Sequence, residues 1–309
     1  MKAVRIHSFG SSEVMQIEEV ATPKPMPGEI LIRVCAASVN PVDYKVRSGQ
    51  FRPPGLHMPL TLGRDVSGVV EAVGRGVSEI DVGDEVFALL DRDHGGYAEF
   101  VIVRSDSVAA KPASLDHVHA AAVPLAAITA WQGLFDHGNL KRGERVLIHG
   151  AAGGVGHFAV QFARNKGAYV IVTARQEDIG LMKTLGADEV IDYQKDRFED
   201  RATDVDLVFD LVAGETQNRS WHTLKKGGHL VSTLPVQDKG QGAPSGVTGE
   251  SYMAEPNRWE LEEIARLIDN RKVQVVVQET LPLAEARRAH EFLEHEHVRG
   301  KVVLEVAEV

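Results

Sequence analysis

The chain has 309 residues, too many for one ordinary core, and this suggests two domains. Its 44 acidic residues outnumber 34 lysines and arginines for a net charge of −10, and no basic stripe carries interleaved aromatics, so a nucleic-acid partner is disfavoured. No apolar run approaches the ~20 residues that cross a bilayer, the N-terminus MKAVRIHSFGSSEV lacks the apolar core of a secretory leader, and the single cysteine, Cys35, allows no intrachain disulfide; together these predict a cytoplasmic protein away from membranes.

The first third reads as strands. KAVRI and EILIRVCAASV alternate or run apolar, and Pro23, Pro25, Pro27 and Gly28 separate them. VSGVVEAVG, DEVFALL and GGYAEFVIV follow with glycines at the turns, as in a small, partly closed β-barrel. Near residue 120 the texture turns Ala-rich and helical in HAAAVPLAAITAWQGLF. From Glu144 strands and helices alternate: RVLIHG, the helix GVGHFAVQFARNKG closed by Gly167, AYVIVTA, the helix DIGLMKTLGA, then EVIDY, DLVFDLV and GGHLVST. This alternation predicts a parallel, doubly wound sheet. Residues 236–250, rich in Gly, Pro and Ser, read as a mobile loop at the substrate mouth. An amphipathic helix NRWELEEIARLIDN, a strand VQVVVQETLPL, a helix AEARRAHEFLEHEH and a last strand GKVVLEV complete the chain.

VLIHGAAGGVGHFAVQFA is a strand, a tight glycine turn and a helix, the setting in which backbone N–H groups and the helix dipole receive a pyrophosphate. Gly153 and Gly156 take the second and third glycine places of G-x-G-x-x-G, and Ala151 stands at the first, tolerable where φ stays negative. Ala152, Gly153, Gly154, Val155 and Gly156 are therefore the expected phosphate cradle. An NAD site usually places Asp or Glu about 20 residues on, against the ribose. Here Thr173, Ala174 and Arg175 end the second strand, so no acid repels a 2′-phosphate, and Arg175 can pair with one. NADP(H) is the expected cofactor; Glu177 and Asp178 read as the start of the next helix.

Several blocks in order carry a resemblance that runs nearly end to end: ASVNPVDYKVRSG (37–49), LGRDVSGVVEAVG (62–74), VGDEVFAL (82–89), GGYAEFV (95–101), AAVPLAAITAWQGL (121–134), VLIHGAAGGVGHFAVQ (146–161), LGADEVIDY (185–193) and HVRGKVVLEV (297–306). The chain resembles the zinc-free branch of the medium-chain dehydrogenase/reductases, the quinone oxidoreductases and enone reductases. The resemblance implies an α/β fold in which a Rossmann doubly wound parallel sheet is inserted into a GroES-like β-barrel catalytic domain. It divides the chain into residues 1–122 (barrel, first part), 123–265 (NADP-binding domain) and 266–309 (return to the barrel), with substrate entering the cleft where the domains meet. It also implies a homodimer. Cofactor contacts fall on Thr129 near the nicotinamide, Tyr193 at the adenosine 2′-phosphate, and Arg299 and Lys301 in the returning block. Some members carry a basic residue at the start of the second helix; Asp178 stands about there, and Arg175 is read as compensating.

Zinc-dependent relatives hold their metal through Cys, His and a further Cys or carboxylate, and a structural zinc through four cysteines. Where they carry Cys after the second barrel strand, this chain has NPVDYK; where they carry Gly-His-Glu, it has Gly63-Arg64-Asp65. Cys35 reads as a core thiol, Asp65 as a residue holding local structure, and His117, His119, His290, His295 and His297 as solvated surface, so no metal is expected. Without a Lewis acid the chemistry narrows. Hydride needs an acceptor whose charge can move to oxygen, such as a quinone or an alkene conjugated to a carbonyl. Candidate donors to that oxygen are Asn40, Tyr44 and Lys45, with Asp43 orienting Lys45, in a segment that Pro41 takes out of regular structure. By residue type alone the segment is a polar loop closing the barrel. The resemblance, which sets it in the cleft, makes Asn40 and Lys45 site residues and leaves Tyr44 open. The same site would serve one-electron quinone reduction, and a regulatory protein that binds NADPH without turnover is the reading outside catalysis.

Overall fold

A computed structural model describes residues 1–237 and 243–307. In chain order the elements are β1 (Lys2–Ile6), β2 (Met15–Glu19), β3 (Glu29–Val39), α1 (Pro41–Ser48), β4 (Leu60–Thr61), β5 (Asp65–Val73), β6 (Glu85–Leu89), β7 (Phe100–Arg104), β8 (Val108–Ala110), α2 (His117–Ala121) and α3 (Pro124–Trp131). Next come β9 (Arg145–Ile148), α4 (Gly156–Lys166), β10 (Tyr169–Ala174), α5 (Ile179–Thr184), β11 (Glu189–Asp192), β12 (Val205–Asp210), α6 (Gly214–Ser220), β13 (Leu224–Ser232) and β14 (Thr248–Ser251). The chain closes with α7 (Arg258–Asp269), β15 (Val277–Pro282), α8 (Ala286–His295) and β16 (Lys301–Glu305). Contacts sort them into two units, Met1–Leu125 with Glu255–Arg271 and Val275–Val309, and Ala126–Ala254 with Lys272–Gln274.

In the first unit β3 is the hub. It pairs antiparallel with β5, β7 and β16, in a seven-stranded sheet ordered β15-β16-β3-β5-β6-β8 with β7 on β3. Its near-continuous apolar run is explained by burial along almost its whole length, from Ile30 to Val39. Register shifts at Leu31/Ile32 and Val34/Ala36 bend the strand so that different stretches meet different partners. Ile30, Ile32, Val34, Val66, Leu90, Tyr97, Val302 and Leu304 fill the core, and α8 packs its Ala286–Ala289–His290 stripe inward. A smaller sheet, β2-β1-β4, lies beside it. Helix α7 belongs to this unit rather than to the parallel sheet. Its Asp269 carboxylate accepts the main-chain N–H and hydroxyl of Ser114 at 2.9 and 2.7 Å, and Arg258 pairs with Glu79 at 2.8 Å.

The second unit is a six-stranded, wholly parallel sheet ordered β11-β10-β9-β12-β13-β14. Counted from β9 this is the 3-2-1-4-5-6 order of doubly wound dinucleotide folds, whose strand direction of growth reverses between β9 and β12. Leu147, Ile171, Ile191, Val208 and Leu230 form its core. The segment 236–250 departs from the loop expected of it. Residues 238–242 lie outside the described residues, but Thr248–Ser251 is a sixth strand, with His229 facing Thr248 and Ser232 facing Ser251. All four of its residues are exposed, so it carries no hydrophobic alternation for a sequence reading to detect. Gly249 fits because a Cβ there would lie 2.4 Å from the Trp221 ring.

Candidate active site

The second unit presents a turn at the point where its strand order reverses. The strand β9 runs apolar into His149 and Gly150, and Gly150 takes the left-handed conformation at φ +71. Ala151, at the first glycine place, stays out of that region, as a Cβ requires. Gly156 opens α4 where a Cβ would sit 2.2 Å from the Gly150 carbonyl oxygen, so only glycine lets the helix close on the turn. At Gly153 a Cβ would meet only that same oxygen, at 3.4 Å, and the space beside it is otherwise open. Gly153, Gly154 and Val155 are half-buried, Ala152 and Gly156 buried. A glycine turn feeding an 11-residue helix is a cradle that suits a pyrophosphate.

At the ends of the next two strands the structure brings two expected residues together: Arg175 Nε donates to Tyr193 Oη at 3.0 Å. Beside them Lys195 donates to Gln176 at 2.8 Å, adding a second cation that the sequence reading did not single out. Thr173, at the end of β10, has its hydroxyl 2.9 Å from His149 Nδ1 and is 5% exposed. His149 also reaches Ser220 at 2.9 Å, and burial pushes its pKa down to about 4. Thr129 is buried in α3, where its carbonyl accepts the Tyr252 hydroxyl.

The first unit holds a buried polar centre around Asp65, which is 0% exposed at the start of β5. Its Oδ2 accepts Ser38 Oγ at 2.5 Å and Asn40 Nδ2 at 2.8 Å, and Oδ1 accepts the Leu125 N–H at 2.6 Å. Lys301, 3% exposed at the start of β16, brings Nζ to 3.7 Å from the same carboxylate and donates to Asn40 Oδ1 and the Val39 carbonyl. Burial pulls the Lys301 ammonium below the usual lysine range, while Asp65 and Asp43 hold it up. Asn40 and Lys301 thus meet inside the barrel unit. Arg299, two residues earlier, donates its main-chain N–H to Gln278.

The segment after Asn40 is not a loop. Pro41 occupies the first helical position, where its missing N–H costs nothing, and α1 runs to Gly49 at φ +80. Asp43 lies in the first turn, with Oδ2 accepting the Asn40 N–H at 2.8 Å and the Tyr97 hydroxyl at 3.0 Å. The expected orientation of Lys45 by Asp43 is not seen: among the described residues no ion pair joins the two. Tyr44 and Lys45 project half-buried from the same helix. Burial, then the nearby Glu294, raises the Tyr44 pKa. Two histidines also differ from the solvated surface expected of them. His117 is buried with Nδ1 2.8 Å from Ser67, and His290 is 0% exposed. Cys35 is a buried thiol whose pKa burial raises.

Residues 26–113 match the family description "Alcohol dehydrogenase GroES-like domain" and residues 185–304 match "Zinc-binding dehydrogenase". A quinone oxidoreductase structure from Coxiella burnetii superposes with a TM-score of 0.91 at 36% identity, covering 99% of each chain. The mitochondrial NAD(P)H oxidoreductase RTN4IP1 of Mus musculus is 35% identical over 99% of this chain and 89% of its own length. The chloroplastic NADPH-dependent alkenal/one oxidoreductase of Arabidopsis thaliana is 33% identical over 98% and 79%. The chain belongs to the quinone oxidoreductase and alkenal reductase branch of the medium-chain dehydrogenase/reductases. The first unit carries the GroES-like domain of this family and the parallel sheet its Rossmann-like domain.

Within that family frame, the residues missed by sequence reasoning are those whose signal is shared with ordinary packing. Tyr97 lies in the GGYAEFV block and reads as a barrel aromatic. His290 falls on the Ala286–Ala289–Leu293 stripe of α8 at helical spacing, and that periodicity could have placed it inside. Lys195 follows the VIDY strand by two residues and carries no local signature.

Proposed function

We propose that this NADP(H)-dependent oxidoreductase reduces a quinone, or the C=C bond of an α,β-unsaturated carbonyl compound, by two-electron hydride transfer and without zinc. The observation that carries the reading is the donor set around Asp65. Its carboxylate is taken up by Ser38, Asn40, the Leu125 N–H and a buried ammonium. The chain's one thiol, Cys35, lies in the β3 core. A cation would have to displace Lys301 and find its softer ligands elsewhere. Such a centre is suited to hold hydrogen-bond donors near a developing oxyanion, with Asn40, Lys45 and Tyr44 the proposed donors.

The glycine turn at 152–156 would hold the cofactor's pyrophosphate, and Arg175 with Tyr193 its 2′-phosphate, with Thr129, Thr173, Arg299 and Lys301 as further proposed contacts. When bound, the cofactor supplies the hydride. The absence of an acid at the end of β10 favours the phosphorylated form, and the Arabidopsis relative is named for NADPH. The cytoplasm is the compartment proposed from the sequence; two of the relatives named above are labelled mitochondrial and chloroplastic. No helix among the described residues is long and apolar enough to cross a membrane.

The test is steady-state NADPH oxidation against a panel of quinones and enones, before and after exhaustive chelation, with products identified. Turnover that survives chelation and yields hydroquinone or saturated ketone is expected. Radical products with oxygen consumption would replace this reading with one-electron reduction. Tight NADPH binding with no turnover on any acceptor would favour the regulatory alternative, and one zinc per chain required for turnover would overturn the metal-free mechanism.

A further inference from the structure

Asp43 is the end of a buried chain of polar contacts in the first unit. Glu294 holds Arg47 through both terminal nitrogens at 2.9 Å. Arg47 Nη1 lies 3.3 Å from His290 Nδ1, and His290 Nε2 lies 3.3 Å from Tyr97 Oη. Tyr97 then donates to Asp43 Oδ2 at 3.0 Å. Tyr97 and His290 are 0% exposed, Asp43 and Arg47 3%. The proton positions follow from the partners. Arginine only donates, so His290 Nδ1 accepts; the ring proton is then on Nε2, directed at Tyr97 Oη, which leaves the phenolic proton for Asp43. Each donor is aimed toward Asp43. The Tyr97 ring is also fixed sterically. It stands edge-on to His290 at 5.7 Å, and a Cβ on Gly63 would lie 2.4 Å from it.

A fold that needed only stability could replace such a chain by apolar side chains at little or no cost. What it provides is a particular environment for one carboxyl. Both donors onto Asp43, the Asn40 N–H and the Tyr97 O–H, are neutral, so neither compels ionisation as a contacting guanidinium would. Charged groups facing it from packed elements are Asp65 on β5 with Arg64 before it, Lys301 on β16, and Arg47 on its own helix; His290 and Glu294 on α8 act through the relay. Burial raises Asp43 to about 6, with the two hydrogen bonds and Lys301 opposing the rise and Asp65 adding to it. Among the described residues no hydrogen bond falls on Oδ1. The residue lines a cavity of about 40 Å³ whose wall includes Val46, Phe51 and Leu62 and also the charged or titratable Arg64, Arg92 and His94.

We propose that Asp43 is the proton donor of the reduction, and that Tyr97, backed by His290 and Arg47, is the residue that positions it. The inference rests on the reduction of a conjugated acceptor proposed above. Bound reduced nicotinamide would supply a hydride from C4, and with it both electrons, leaving the acceptor an oxyanion. That oxygen takes the Asp43 proton, giving hydroquinone or an enol that relaxes to the saturated ketone. The Asp43 carboxylate regains a proton from water before the next turnover. Tyr97 can donate to Oδ2 in both states of the carboxyl, so the geometry survives the cycle.

The test compares the full-length parent, Asp43→Asn, Tyr97→Phe and His290→Asn. Turnover is followed with NADPH and 1,4-benzoquinone or 3-penten-2-one across pH, and Asp43 is titrated directly by its infrared carboxyl band. Tyr97→Phe removes one hydroxyl from a ring that keeps its packing. It is expected to move the alkaline fall in kcat/KM, and the infrared midpoint with it, upward by up to about one pH unit, because the lost bond favoured the carboxylate. His290→Asn should move both in the same sense by less. Asp43→Asn should abolish that limb and lower kcat ~100-fold or more. A folded Tyr97→Phe whose infrared midpoint matches the parent overturns the positioning role, and His290→Asn decides the same point if the first variant fails to fold. An infrared midpoint that moves while the rate profile does not overturns Asp43 as donor, as does an Asp43→Asn enzyme that keeps the parent profile. If the parent turns over no acceptor, the proposed reduction fails and takes the donor role with it, while the infrared titration still decides the relay.

Discussion

The two units carry chemistry in different materials. In the parallel-sheet unit the candidate cofactor surface is main chain and strand ends: a glycine turn after β9, and Arg175 and Tyr193 where β10 and β11 stop. In the barrel unit the candidate centre is assembled from buried side chains on β3, α1, β5 and β16 that come from opposite ends of the chain. A main-chain site tolerates changes at its neighbours and fails by steric intrusion. A buried side-chain site fails when one partner leaves another unpaired.

The sharpest way to break this contrast is at its centre. Asp65→Ala would strand the Lys301 ammonium, the Asn40 amide and the Ser38 hydroxyl in the barrel interior. Removing one partner of a buried ion pair costs about 3–5 kcal/mol, and urea denaturation should register a loss of that order. A variant within about 1 kcal/mol of the parent would mean that the centre is looser than its bonding implies.

The next largest effect is expected in turnover. Lys45→Met and Asn40→Ala remove proposed donors to the acceptor oxygen, and a positioned donor in a water-poor site is worth about 2.7–4 kcal/mol, on the order of a hundredfold in rate. Asn40→Ala should also lower stability, since its amide bridges Lys301 and Asp65. Lys45, with no such bridge, should not. Rates within threefold of the parent for both folded variants would remove these residues from the site. On the other unit, Arg175→Ala should weaken NADPH by about one to two decades, roughly 1.5–3 kcal/mol, and NADH much less. Equal losses in a fluorescence titration would remove the 2′-phosphate assignment.

A smaller effect compares the units through acid. Each buries a neutral histidine, His149 held down to about 4 and His290 to about 3, against an ordinary 6.5. Below that ordinary value the unfolded chain binds protons that the folded one refuses. The stability each contributes is therefore complete above pH 6.5 and is lost as pH falls toward about 4 for His149 and about 3 for His290. Asp43 acts in reverse, because its carboxyl is raised from 3.8 to about 6 and the folded state gains on the unfolded as pH falls through that window. Melting curves of His149→Gln and the parent between neutral pH and about 4.5 should converge as pH drops. Curves that stay parallel would mean that His149 is already charged.

Most of the parallel-sheet unit was legible because its determinants are local. The strand, the glycines and the helix of the cofactor turn lie within one short stretch, and Gly150 and Gly156 have a conformational or steric reason set by that stretch itself. Its one hidden strand, β14, was lost because an exposed parallel edge needs no apolar pattern. The barrel's strands were legible, but its centre was not. Asn40 and Asp43 were singled out by residue type and family likeness, yet nothing near Asn40 in sequence names Lys301 as its partner, or Tyr97 as that of Asp43. Pro41 misled because the same ring that ends a helix also begins one.

The separation of β3 from β16 also sets an order of assembly. Lys301 meets the Val39 carbonyl across 262 positions, and every strand of the parallel sheet lies between them. A chain growing from its N-terminus presents β9 to β14 together while the barrel still lacks its closing strand. The contiguous unit can thus condense first, and the barrel waits on its most distant contact, the slowest kind to form. Until β16 arrives, the Asp65 carboxylate has no ammonium beside it, so the half-made barrel carries an uncompensated interior charge.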